Sequence, residues 1–215
     1  MSLVLYYHPL ASFCWKVLIA LYENEIPFEG RIVDLADPAS RAELDRIWPV
    51  GKFPVLVDRT ARLELPESTI IIEYLNERYP GASKFVPKNS GDARNVRLLD
   101  RFFDFYVHQP MQKIVTDKLR PVESRDAYGV EEARRTLATS YGMLETRMRD
   151  GEWLVGDGFS LADCSAFPAL YYANRVAPLG NTHPRSQAYL ARLHERSSVK
   201  RVFEEAGPYF ENFPG

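Results

Sequence analysis

The apolar periodicity of this 215-residue chain changes once, near Pro80, and does not change back. Before that point, short apolar runs alternate with helical patterns. Leu3 to Tyr7 is rich enough in aliphatic and aromatic side chains for a buried strand. From Phe13 to Leu21, apolar residues recur at helical spacing (Val17, Leu18, Leu21), and Pro27 stops that helix. Arg31 to Leu35 predicts a second strand, and Ala39 to Trp48 a second helix ended by Pro49. Val55 to Asp58 and Arg62 to Glu64 predict two short strands joined by a turn around Arg59 and Thr60. Ser68 to Arg78 predicts a third helix, stopped by Pro80-Gly81. The order βαβαββα implies a mixed sheet covered by helices.

Beyond Pro80 the strand signals vanish. Gly81 to Asp92 contains Pro87, Asn89, Ser90 and Gly91 and reads as a linker. Helical patterns then run over roughly 93–119, with Pro110 expected to kink the helix, and roughly over 130–149, 160–177, 184–195 and 198–206. Ser160 and Asp163 have the spacing of a capping box, in which serine oxygen and carboxylate satisfy free backbone N–H groups. The expected fold class is α/β plus all-α: a module over 1–80, a linker over 81–92 and a helical module over 93–215.

Composition narrows the function. With 46% hydrophobic and 26% charged residues, the chain has enough apolar side chain to fold without a staple. A net charge of −2 leaves no electrostatic footprint for nucleic acid or anionic membrane. No apolar run approaches the ~18 residues of a membrane span. The N-terminus runs from Met1-Ser2-Leu3 straight into the first strand without a signal-like region, so a cytoplasmic protein is expected. Cys14 and Cys164 lie far apart, and reduced thiols are the simpler reading, with a bridge left open. His8, His108, His183 and His194 show no metal-ligand spacing, so no metal is expected.

Three clusters could carry chemistry. In the turn from Tyr7 to Val17, Ser12 and Cys14 fall at or inside the first turn of a helix, where free N–H groups and the helix dipole favour an anion or thiolate. Taken alone, Ser12 would be an N-cap and Cys14 a small buried apolar residue. In Gly51-Lys52-Phe53-Pro54-Val55, a proline directly before a strand often marks a cis bond, leaving the Phe53 backbone able to pair with an extended peptide. In Pro66-Glu67-Ser68, a hydroxyl at a helix start can hold a carboxylate and Glu67 an ammonium group, a pairing suited to the zwitterionic end of an amino acid.

Together with Phe159-Ser160-Leu161-Ala162-Asp163, these motifs stand in the order seen in one family. The chain resembles a cytosolic glutathione transferase over essentially its whole length: a thioredoxin-like βαβαββα domain, then an all-helical domain. The serine-containing turn is most similar to the zeta-like and theta-like bacterial members. The resemblance implies glutathione as co-substrate and a small hydrophobic electrophile as second substrate. Glu67 and Ser68 would bind the γ-glutamyl ammonium and carboxylate, the Phe53 backbone before a cis Pro54 the cysteinyl unit, and Lys52 the glycyl carboxylate. Ser12 would donate a hydrogen bond to the sulfur. Ser160 and Asp163 would serve folding. Zeta-type and theta-type members place their serine six residues before the valine aligned with Val17, which here is Ala11. Cys14 therefore stays open as the reactive group of a glutathione-dependent thiol oxidoreductase, Tyr7 as another sulfur activator, and a noncatalytic binding protein as a third class. Among Phe102, Phe103, Phe105, Tyr106 and Met111, Tyr106 is expected to line the electrophile pocket. The resemblance also implies a homodimer.

Overall fold

Leu3, Val4 and Leu5 are almost completely buried, as befits a central strand covered on both faces. In the computed structural model, which describes residues 2–148 and 151–214, this strand is β1 (Leu3–Tyr7). It pairs in parallel with β2 (Glu29–Ile32) and antiparallel with β3 (Val55–Asp58), which pairs antiparallel with β4 (Leu63–Pro66), so the sheet order is β2-β1-β3-β4. Helices α1 (Ser12–Glu23) and α3 (Ser68–Arg78) bury Trp15, Leu18, Ile71 and Leu75 in the main core. Helix α2 (Pro38–Ile47) closes a smaller core of Val33, Leu44 and Val55.

Two strand boundaries differ from expectation. β2 occupies Glu29–Ile32 rather than Arg31–Leu35, because its register, Val4↔Glu29 to Tyr7↔Ile32, runs out where β1 ends. Beyond it, the Asp34 carboxylate accepts the Ala36 N–H and turns the chain. β4 starts at Leu63 and not at Arg62, whose φ of 54° belongs to the turn.

The second half is helical: α4 (Ser90–Phe102), a π-helical segment (Phe103–His108), α5 (Gln109–Lys118), α6 (Ala127–Arg147), α7 (Leu161–Val176), α8 (Pro184–Glu195) and α9 (Ser197–Ala206). Ser90, Gly91 and Asp92, read as linker, form the first turn of α4, since the Asn89 side chain accepts the N–H groups of Gly91 and Asp92. The kink expected at Pro110 takes another form. Pro110 sits in the first turn of α5, and the irregular turn lies just before it. Pro110 has no N–H for the carbonyl of Tyr106, four residues back, and that oxygen accepts the Ser140 hydroxyl from α6 instead, at 2.9 Å. Arg149, at the end of the expected 130–149 helix, lies outside the described residues.

Helix α7, buried along most of its length, starts at the expected capping box: the Ser160 N–H donates to Asp163 Oδ2 at 2.8 Å. Tyr189 of α8 donates to the other carboxylate oxygen at 2.6 Å, so Asp163 ties two helices together. One apolar core continues from α1 and α3 through α4 to α9, so the two halves pack as one body around the α1–α7 contact.

Candidate active site

Three loops of the α/β half and the α4–α5 region of the helical half enclose a cleft with two recesses. Lys52, Phe53, Pro54, Glu67 and Ser68 all line the smaller one, of about 170 Å³. Arg101, Asp104 and Gln109 face them from the helical side. Ser68 opens α3 and is buried, where the first N–H groups of the helix have no intrahelical acceptor. Glu67 precedes it at φ 72°, a conformation uncommon outside glycine and of the kind that collects at ligand-holding positions. The Phe53–Pro54 bond is cis.

The larger recess, about 420 Å³, shares Phe13, Lys52 and Phe53 with the first, so the two are arms of one cleft. Ser12 lines this arm with His108, Met111, Val115 and Phe213. As the first residue of α1, Ser12 is only 8% exposed. Its Oγ lies 2.9 Å from His108 Nδ1, and the Phe13 ring meets the His108 imidazole edge-on at 4.4 Å. Burial, aided by the Lys16 charge, pushes the His108 pKa down to about 4, so the ring is neutral near pH 7.

Beneath the cleft lies a buried ionic cluster. Lys16, 1% exposed, donates to Asp100 at 2.7 Å and to Asp104 at 2.9 Å. Thr69 of α3 and Ser165 of α7 also donate to Asp100, at 2.7 and 2.6 Å. Burial alone would raise the Asp100 carboxyl, but the Lys16 charge and these hydrogen bonds carry it below its usual value. Asp104 goes the other way: its burial, reinforced by the Asp100 charge, outweighs Lys16 and raises it.

Two expected site residues lie elsewhere. Cys14 is 0% exposed, and burial raises its thiol pKa, which removes both the access and the thiolate a redox nucleophile needs. Tyr106 lines neither recess; it borders a groove of about 840 Å³ between α4 and α6. Tyr106 lines that groove with Phe102 and Leu98, four and eight residues before it. Tyr7 packs against β2, where a β-carbon on Gly30 would come within 3.1 Å of its ring, and it too lines neither recess. Conversely, Arg101, Asp104 and His108 were not singled out from sequence. The one available signal is the polar series Asp100, Asp104, His108 at four-residue spacing in a stretch that, Arg101 apart, is otherwise apolar. Among the described residues, no group of three or more His, Cys, Asp or Glu side chains could hold a metal ion, and no helix is long and apolar enough to cross a membrane.

Comparison with known proteins matches this architecture. Residues 5–83 fit the glutathione S-transferase N-terminal domain, and residues 98–197 its C-terminal domain. A probable maleylacetoacetate isomerase from Vibrio cholerae serotype O1 is 30% identical over 100% of this chain and 98% of its own length. The chain belongs to the glutathione S-transferase family. The dichloromethane dehalogenase of Methylorubrum extorquens is 27% identical, over 94% of this chain and 75% of its own. A solved glutathione S-transferase from Methylobacillus flagellatus KT, with glutathione bound, superposes with a TM-score of 0.85 at 25% identity, covering 94% of this chain and 98% of that one. As a family member, this chain carries glutathione-dependent chemistry, transfer or isomerisation, with glutathione as co-substrate.

Proposed function

We propose that the smaller recess binds glutathione and that the Ser12 hydroxyl stabilises its thiolate for attack on a small hydrophobic electrophile, or for its isomerisation, in the larger recess. Glu67 and Ser68 hold the γ-glutamyl ammonium and carboxylate, the Phe53 backbone pairs with the cysteinyl unit, and Lys52 reaches the glycyl carboxylate. Residues 1–80 then supply the glutathione side and 93–215 the electrophile side. The observation that carries this reading is the cleft itself: five residues suited to the peptide line one arm, and Ser12 lines the arm joined to it through Phe13, Lys52 and Phe53.

The chemistry sets the size of the task. A free thiol with a pKa near 8.5 is only about 5–10% thiolate near neutral pH. Lowering that value by ~2 units makes thiolate the main form and requires ~2.7 kcal/mol of preferential stabilisation. A hydroxyl donor at a helix N-terminus is suited to supply it. The displaced proton leaves to solvent, and the sulfur bonds directly to the electrophilic carbon, without a covalent enzyme intermediate. A leaving group departs with the electron pair of its bond, or a π bond opens and its pair is protonated; in isomerisation that pair re-forms the π bond when the sulfur leaves. The rival reading, a thiol oxidoreductase, would need Cys14 to form a mixed disulfide with glutathione, and its complete burial opposes that.

We also assign the α4–α6 groove to a second copy of this chain. Leu98, Tyr106 and Met143 are 60%, 55% and 58% exposed along it, an apolar surface better suited to a partner than to water. The reduced, buried Cys14 and Cys164 fit a cytoplasmic location.

The test is the pH titration of glutathione thiolate absorbance on the enzyme. The wild type should lower the bound thiol pKa by ~2 units, and Ser12→Ala should return it towards 8.5. Calorimetry at pH 5.5, below both values, should show glutathione affinity lost on Glu67→Gln or Ser68→Ala, by about tenfold each, but kept in Ser12→Ala. A lowered thiol pKa that survives Ser12→Ala would remove the serine from the mechanism.

A further inference from the structure

The segment after α9 returns to the cleft. A 3-10 helix (Gly207–Asn212) carries Tyr209 to the His8 ring, edge-on at 6.1 Å, and His8 itself stacks on Phe53 at 5.9 Å. Phe213 then lines the larger recess. Its N–H donates to the Phe210 carbonyl at 3.0 Å, its ring lies 5.0 Å from that of Tyr172, and the Arg175 guanidinium stands over it at 5.1 Å. Tyr172 is fixed in turn, donating its hydroxyl to the Leu10 carbonyl at 2.8 Å. The segment is thus seated on both halves, through His8 on one and through Tyr172 and Arg175 on the other.

The other apolar walls of this recess have different duties. Phe13 and Phe53 are shared with the smaller recess, Met111 and Val115 belong to the main core, and Leu35 is exposed. Phe213 is half-buried, outside any helix or strand, and held in place by other side chains. We propose that Phe213 sets the length of electrophile that the larger recess admits. This rests on the reading of that recess given above, and it gives the small size of the electrophile a physical cause. An apolar chain growing from the glutathione sulfur gains about fourfold in affinity for each methylene it takes out of water. On meeting Phe213 it must push the ring off Tyr172 and Arg175 or turn out into water, and further methylenes gain nothing. A smaller side chain at this position lengthens the run, and a larger one shortens it.

The experiment is calorimetry of S-alkylglutathiones, from S-methyl to S-octyl, on wild type, Phe213→Ala, Phe213→Leu and Phe213→Trp. These ligands place an inert chain where the electrophile goes, so no chemical step enters. Wild-type affinity should climb about fourfold per methylene and then level off. Phe213→Ala should level off about two methylenes later, Phe213→Leu between the two, and Phe213→Trp earlier than wild type. Glutathione itself should bind all of them within about twofold, with an unchanged thiol pKa. Shifts of opposite sign mark a wall, since a merely loosened segment would move the Ala and Trp variants the same way. A common levelling point in every variant, a flat wild-type series, or a wild-type climb that continues through S-octyl would overturn the proposal. A crystal structure with S-hexylglutathione tells the failures apart. A chain lying outside the recess of Met111 and Val115 defeats the electrophile reading itself, whereas a chain inside it that Phe213 does not stop defeats only the proposal.

Discussion

Along the helix that runs from Leu98 to His108, two stripes of side chains reverse the usual order of burial. Asp100, Asp104 and His108, at four-residue spacing, are buried against α1 and the cleft. Leu98 and Tyr106, eight residues apart on another face, are 60% and 55% exposed. An amphipathic surface helix normally does the opposite. The buried stripe is polar because each of its groups has a partner: Lys16 for the two carboxylates and Ser12 for the imidazole. The exposed stripe is apolar because, on our reading, its partner is another molecule. One stripe ties the two halves together and shapes the site, and the other makes an assembly surface.

The two stripes should therefore fail differently. Lys16→Met leaves Asp100 and Asp104 buried with only the half-exposed Arg101 guanidinium beside them, and should cost about 3 kcal/mol in urea denaturation. A loss below about 1 kcal/mol would show that the cluster is better solvated than its burial implies.

The next effect is a pH dependence. With its folded pKa lowered to about 4, His108 is neutral in the folded state, whereas the unfolded imidazole titrates near 6.5. Below pH 6.5 the unfolded chain binds a proton that the folded chain refuses, so stability falls from pH 6.5 to about 4, by about 3 kcal/mol. Asp104, raised, acts in the opposite sense just above the usual carboxylate pKa. Asp100, lowered, adds stability at higher pH that is lost only as pH falls below the normal carboxylate range. The diagnostic quantity is thus the difference between wild type and His108→Gln, whose denaturation midpoints should converge as pH falls from 6.5 to 4 or even cross.

On the exposed stripe, Leu98→Glu should leave folding and the thiol pKa near wild type and weaken self-association by at least about tenfold in sedimentation, the cost of setting a charge into an apolar interface. A monomeric wild type would sink the assignment of the groove. The smallest effect belongs to Tyr106→Phe: kcat/KM for the electrophile should stay within about twofold, since removing a hydroxyl outside the cleft takes nothing from the transition state. A loss above tenfold would return Tyr106 to the substrate pocket.

Much of the fold was legible in sequence because its punctuation is local. Pro49 and Pro80 stand two residues beyond the ends of α2 and α3, and the capping box at Ser160 and Asp163 is complete within four residues. By contrast, α1 stops at Glu23 through a turn with Glu25 at φ 51°, ahead of the expected stop at Pro27. The β2 boundaries were not legible, because a strand ends where its neighbour stops pairing. The same division runs through the cleft. Lys52 to Pro54 and Glu67-Ser68 form short motifs, and the structure brings them to one recess. Arg101 and Asp104 reach that recess, and His108 the adjoining one, from the helical half. Tyr106 lies outside the expected pocket because helical aromatics look alike in sequence, and only the packing shows that it faces α6 together with Leu98 and Phe102. Cys14 shares its helical turn with Ser12, and only the packing of α1 shows that one reaches the cleft and the other the core.

A crystal structure with glutathione diffused in tests the central claim most directly. The account predicts the peptide in the recess of Lys52, Phe53, Glu67 and Ser68, with its sulfur within about 3.5 Å of Ser12 Oγ. Glutathione bound in the α4–α6 groove, or a sulfur directed away from Ser12 towards an exposed Cys14, would contradict it.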